Sequence, residues 1–305
     1  MSRTKETAVA FLAALAIAAA AARPAHAQAP ESPATPPAPA AAPLQEEDVD
    51  EDRTVNPAQP EYTIVNLPTT LRLPRNGFAF RVTHRFGRDL GSGDFGDLLE
   101  DLFGFDSGAQ IGLELRYGLM RGWQVGIYRT SDRTIQLFTQ YNVLRQAGRS
   151  PVNVDALATL EGTNNLRGDD PAQVTGEGVR SPALGAVVSR LFGRTASVSL
   201  TAAWVNNTNP LPSDLVDHND TFIAGVGGRL RIRPTVYLVG EVIPRVAGNR
   251  PGVTLGSFGI EKRVGGHAFQ VNFSNGTGST LAQVARGGAS SDRWFIGFNI
   301  NRKFY

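Results

Sequence analysis

From residue 77 onward the chain alternates apolar and polar residues with a period of two, and this feature constrains it most. In "TASVSLTAAWV", Ala196, Val198, Leu200, Ala202 and Trp204 share one face, while Thr195, Ser197, Ser199 and Thr201 share the other. The pattern recurs in "AQIGLELRYGL" and "HAFQVNF". It specifies strands with one apolar and one polar side. Twelve such segments lie near 77–87, 108–119, 123–131, 133–144, 151–161, 181–192, 195–206, 220–233, 234–243, 253–264, 266–275 and 292–305. Each is about as long as a tilted strand that crosses a bilayer.

The connections sort by length. Long loops at 88–107, 162–180, 207–219, 244–252 and 276–291 alternate with short turns at 120–122, 146–150, 193–194, Arg233-Pro234 and 265–266. The turn at 131–132 is the one short connection on the long side. A soluble sandwich has no reason to segregate its loops in this way, whereas an even-stranded bacterial outer-membrane barrel does. The expected fold is therefore all-β, a transmembrane antiparallel up-and-down β-barrel of about 12 strands.

Trp123, Trp204 and Trp294 lie near strand ends, in phase with the apolar face, as an interfacial aromatic girdle requires. Backbone groups cannot stay unpaired in hydrocarbon, so the segment 292–305 is expected to close against 77–87. Its aromatic end resembles the signal read by the outer-membrane barrel assembly machinery. Phe298, Ile300 and Phe304 share the apolar face, and Tyr305 falls on the other, a mismatch that a local bulge can repair.

The N-terminus reads as an export signal. Arg3 and Lys5 precede the apolar run 8–22, and Ala25 and Ala27 give the small-x-small cleavage pattern, so 1–27 is expected to be removed. The run is short for a membrane span. The chain has no Cys and is expected in an oxidising compartment without disulfides. Removing Arg3, Lys5, Arg23 and Glu6 from 30 basic and 28 acidic residues leaves 27 of each, so a neutral mature chain gives nucleic-acid binding no support. Residues 28–61 combine a Pro/Ala-rich stretch with the acidic run "EEDVDED" and read as a disordered periplasmic tether, with 62–305 as the barrel.

Four stretches, "VNLPTTLRLPRNGFAFRVTHRFG", "DLFGFDSGAQIGLELRYGL", "FQVNFSNGTG" and "GFNINRKFY", resemble a family of uncharacterised bacterial membrane-bound β-barrel proteins. The resemblance covers roughly 62–305. It implies the barrel and an outer-membrane address, and no established activity.

Strand phase places Arg81, Arg85, Arg116, Arg229, Arg231 and Arg263 in the lumen, with Glu114, Asp155, Glu161, Glu241 and Glu261. Near-balanced charges in a confined space are costly unless paired. Twelve strands fall between barrels that side chains fill and barrels with a wide channel. The lumen is thus a narrow, ion-lined pore or a sealed polar core. Helical spacing appears in "SGDFGDLLEDLFGFDSG", where Phe95, Leu98, Leu99, Leu102 and Phe103 oppose Asp97, Glu100 and Asp101. It reads as a hinged lid, or more simply as a short helix burying a local apolar cluster.

Outer-membrane phospholipases use a Ser with a His two residues before it, but Asn272 stands two before Ser274, and Ser274 is on the lumen face. His84, His218 and His267 lie elsewhere, so no catalytic residue is assigned. "GVGG" at 225–228 follows no strand-to-helix junction and is no nucleotide fingerprint. The acids of the helical stretch form no one-three-five ligand ladder, and the acidic run, which could bind calcium weakly or dock a basic partner, reads more simply as a solvated tether, so neither a metal nor a cofactor is expected. Expected partners are outer-membrane lipid, the assembly machinery and a small solute that the residues do not name. The reading is a narrow channel or transport protein; the alternative is a structural barrel with a sealed lumen, whose loops or tether bind partners.

Overall fold

Alternating strands become a barrel only if the two edges of the sheet meet, and here they do. A computed structural model describes residues 51–105, 108–147, 149–173, 175–209 and 219–305. The strands are β1 (Phe78–Phe86), β2 (Ala109–Met120), β3 (Trp123–Thr130), β4 (Ile135–Leu144), β5 (Asn153–Gly162), β6 (Arg180–Phe192) and β7 (Ala196–Val205). They continue as β8 (Thr221–Arg233), β9 (Val236–Ile243), β10 (Arg245–Gly248), β11 (Leu255–Val264), β12 (His267–Ser274) and β13 (Phe295–Phe304).

Neighbouring strands of the sheet pair antiparallel, and β13 closes on β1, with Phe78 opposite Phe304 and Arg85 opposite Gly297. Pro244 lacks the N–H a ladder needs, so the ninth stave breaks there into β9 and β10, both paired with β8. The result is a closed, twelve-stave, up-and-down barrel. The closing segment expected from 292 begins at Phe295; residues 292–294 belong to the preceding loop.

Strand phase sorts the side chains as the alternation dictates. Leu113, Leu115, Ile127, Phe258, Ile260 and Val271 are exposed on the outer wall, the surface that a membrane barrel offers to lipid. Thr83, Ser199, Thr201, Gln270, Asn272 and Asn299 are buried inside. No bulge interrupts the β1–β13 register, so the off-phase Tyr305 is not repaired: Phe304 stays outward and packs at a tilt on Phe78 at 5.6 Å, and the Tyr305 phenol comes beside Tyr62.

Two expectations about the connections are corrected. Helix is not confined to the first long loop. Besides α1 (Phe95–Glu100), a helix α2 (Leu281–Ala285) forms in the last long loop, with all five residues buried. Its signature was present, since Thr280 and Gln283 form a reciprocal capping box ahead of an apolar run. The tether expected to be disordered through 61 is ordered from 51: a 3-10 turn spans Glu51–Arg53, and Asp52, Ala58, Gln59 and Glu61 are buried. Residues 1–27 and 28–50 lie outside the described residues, as do 210–218 of one long loop.

Candidate functional site

The barrel is filled by its own chain. Before β1 begins, residues 61–70 make a hairpin inside the lumen. Thr63 and Pro68 bridge, Ile64 N–H donates to the Leu67 carbonyl at 2.9 Å, and Thr69 N–H donates to the Tyr62 carbonyl at 2.8 Å. Ile64, Val65, Leu67 and Leu73 are almost wholly buried. Backbone placed in such a space must find partners for its N–H and C=O groups.

The lumen wall supplies those partners from around the ring. The Glu241 carboxylate on β9 accepts the N–H groups of Val65, Asn66 and Leu67 at 3.1, 2.9 and 3.0 Å. Three convergent donors on one carboxylate form a compact charge-assisted set. Arg229 donates to the Thr63 carbonyl at 3.0 Å, Gln270 to the Ile64 carbonyl at 2.7 Å, Asn299 to the Val65 carbonyl at 3.0 Å and Gln140 to the Thr69 carbonyl at 2.7 Å. Arg85 reaches the Asn66 side chain at 3.1 Å, and Thr70 meets Ser189. Gln124 holds the chain that follows the hairpin through the Leu71 carbonyl and the Leu73 N–H.

The charges pair around this hairpin. Glu114 bridges Arg81 at 2.5 Å and Arg116 at 2.9 Å, and Arg229 meets Glu261 at 2.8 Å with both side chains fully buried. Arg116 lies between the rings of Tyr62 on the hairpin and Phe138 on the wall, 5.0 and 4.6 Å from their centroids. Lys303 on β13 pairs with Glu61 at the hairpin's foot. At the short-turn mouth Asp52 accepts from Arg72 and Arg145, both at 2.9 Å, and Glu51 accepts from Arg121 at 3.0 Å and from Arg145. The acidic run therefore docks its last residues on basic residues of its own barrel, where a solvated tether was expected.

From the long-loop end, α2 closes the other side. Its first N–H donates to the Gln136 side chain at 2.7 Å, and Gln283 donates to Asp132 at 3.0 Å. Burial alone would raise the Asp132 carboxyl, but hydrogen bonds from Thr130, Thr134 and Gln110 hold it below its usual value. Leu281, Ala282 and Val284 join Leu67 of the hairpin and Val187, Ile223, Ile243 and Leu255 of the wall in one apolar cluster. Between the hairpin and α2 remains a cavity of about 40 Å³, lined by Asn66, Arg81, Glu114, Gln140 and Leu281 among others. That space is too small for a solute much larger than water.

Of the residues expected in the lumen, Arg81, Arg85, Glu114, Arg116, Asp155, Glu161, Arg229, Glu241 and Glu261 are buried on the inner wall. Their pairing is only partly mutual. Glu241 serves the hairpin backbone; Asp155 accepts from Gln140 and Asn142 at 2.6 and 2.7 Å; Glu161 faces Arg286 of the last long loop at 3.9 Å. Arg231 and Arg263 lie at the short-turn rim and not in the interior: Arg231 donates to the Pro234 carbonyl at 2.9 Å, and Arg263 stands 4.0 Å from Glu61. The amides Gln124, Gln140, Gln270 and Asn299 were not singled out from sequence. Their polar phase was the available signal, but nothing local says that backbone will come to meet them.

Trp123 is partly buried at the short-turn end, where it donates to Thr139 at 2.7 Å. Trp204 and Trp294 lie at the long-loop end, Trp204 donating to Asp220 at 3.1 Å. Ser274 is buried inside, 3.0 Å from the Ser257 hydroxyl. His84 stacks outward on Phe298 at 4.8 Å, His267 lies beside Arg302, and His218 is outside the described residues.

A family model described as "Membrane bound beta barrel domain (DUF5777)" matches residues 61–304. No curated protein matches the chain. Among solved structures, the KdgM porin is similar at 8% identity, with 75% of this chain and 99% of that chain covered and a TM-score of 0.45. An outer membrane channel from Pseudomonas putida F1 is similar at 14% identity, covering 76% and 97% with a TM-score of 0.43. The outer membrane phospholipase A from Escherichia coli is similar at 10% identity, covering 83% and 97% with a TM-score of 0.43. At this level of similarity none of them carries weight for function.

Proposed function

The chain belongs to the family of membrane-bound β-barrel domains, and from that premise we propose that it is an outer-membrane channel for small solutes, kept shut by its own N-terminal hairpin. The export signal expected over 1–27 and the aromatic closing strand support the outer-membrane address, with short turns and tether in the periplasm and long loops outside. One observation carries the channel reading. The hairpin is held by side-chain bonds to its backbone from several staves, three of its N–H groups on Glu241 alone, and is no strand of the wall, so it can leave without breaking the barrel. With the hairpin out, the wall presents Arg81, Arg85, Arg116 and Arg229 beside Glu114, Glu241 and Glu261, a charge lining that sets ion preference.

A sealed structural barrel is the second reading, favoured by the small residual cavity and by the apolar cluster that joins Leu67 to α2. Planar-bilayer recording separates the two. The full chain is expected to be silent most of the time and to open in rare steps, and the double variant Glu241→Ala, Asn299→Ala is expected to open far more often. If the double variant assembles as a heat-modifiable barrel and stays silent, the channel reading fails and the sealed barrel stands.

A further inference from the structure

The first long loop departs from what its sequence suggests. A helix that buries a local cluster should hide its apolar side chains, yet α1 has no buried residue. Phe95 is 66% exposed, Leu102 57% and Phe105 61%, and Leu99 and Phe103 are exposed beside them. The segment is nevertheless well defined. Asp94 caps the helix by accepting from Gly96 and Asp97, and Asp97 accepts from the Asp94 N–H in return. Leu102 and Phe103 then take positive φ values of 47° and 58°, a region that bulky side chains rarely adopt.

The position of the loop says what covers this face. Phe105 packs on Phe86 with ring centroids 4.5 Å apart, and Phe86 lies on the outer phase of β1 with His84 and Phe298. The end of this loop thus meets the outside of the wall at Phe86. The loop is held at the level of the Trp294 girdle, because Leu90 donates to the Trp294 carbonyl at 2.8 Å and Trp294 N–H donates to Asp89 at 3.2 Å. Its carboxylates lie on the other side: Asp97 and Glu100 are exposed, and Asp101 pairs with Arg88 at 2.8 Å.

We propose that residues 95–105 are an in-plane membrane contact that lays Phe95, Leu99, Leu102 and Phe103 on the outer rim of the lipid bilayer. The apolar face continues the lipid-facing wall through Phe105 and Phe86, and the acidic side stays in water, the arrangement of an interfacial amphipathic helix. This contact forms whether or not the lumen opens.

The chain has no Cys, so single labels can be placed directly. Phe95→Cys, Leu99→Cys, Leu102→Cys and, as the opposite face, Glu100→Cys carry a nitroxide in dioleoylphosphatidylcholine vesicles, using only material that shows heat-modifiable barrel. Collisions with oxygen, which partitions into lipid, are expected to exceed those with a water-soluble nickel chelate at 95, 99 and 102, and the order is expected to reverse at 100. Nickel predominating at all four sites overturns the proposal, because the segment then stands in water. Labels at 95 and 99 shielded from both reagents overturn it too, because a second copy or another protein then covers the face.

Discussion

Both carboxylate oxygens of Glu241, on the ninth stave, accept the backbone N–H of Asn66, at 2.9 and 3.1 Å. One side chain of the wall thereby grips the tip of a hairpin 175 residues earlier in the chain. Counted as one charge-assisted interaction, the set contributes about 1.5–3 kcal/mol, more than a neutral hydrogen bond. Replacing Glu241 by Ala is therefore expected to raise the open fraction of the hairpin by roughly tenfold to a hundredfold. Hydrogen exchange of the Val65, Asn66 and Leu67 amides measures this, and unchanged protection would show that the other contacts suffice.

The outer wall and the lumen should respond differently at adjacent positions of β13. Phe298 faces outward and carries the stacked His84, so Phe298→Arg puts a charge in the acyl region at a cost of about 2–4 kcal/mol. Heat-modifiable barrel should fall sharply. Asn299 is buried and bonded to Val65 and Gln270, at 3.0 and 2.9 Å. Asn299→Ala should leave assembly intact and loosen the hairpin. Equal assembly yields for Phe298→Arg and Asn299→Ala would contradict the phase assignment.

The strand that closes the barrel ends on a sorted pair. Phe304 packs on Phe78 across the seam, and Tyr305 sits beside Tyr62 at the hairpin's foot. Phe304→Ala is expected to slow assembly and lower the melting temperature of the folded barrel in gel-shift assays. Tyr305→Ala is expected to leave the seam melting unchanged while exposing the hairpin to exchange.

Acid should loosen α2 at its Asp132 anchor. The Asp132 carboxyl is depressed in the folded protein, so its contribution to stability is present above the unfolded value near 3.8 and is lost as pH falls through the lower folded value. The Asp132 share of the exchange protection of residues 281–285 should thus be lost only at acidity stronger than the unfolded value. Asp132→Asn should remove that acid dependence while keeping one acceptor for Gln283, 3.0 Å away. Persistence of the same acid transition in Asp132→Asn would assign it to another group.

The barrel itself was legible residue by residue. Period-two alternation decides which side of a strand is apolar, and a closed sheet in lipid is the one way such strands satisfy their backbone, so Ile260 outside and Thr201 inside follow from local pattern alone. The helix at Phe95–Glu100 was legible for the same kind of reason, a local repeat with a cap. What fills the lumen was not. The stretch "EYTIVNLPTT" lies ahead of the first alternating segment at 77–87 and has no period of its own, and its place is decided by partners such as Glu241, Gln270 and Asn299, which only barrel closure brings together. The same holds for α1, whose amphipathic pattern announces an apolar face but not what covers it. The contact of Phe105 with Phe86 is a tertiary event that no local pattern announces, and it sets this end of the segment against the outer wall.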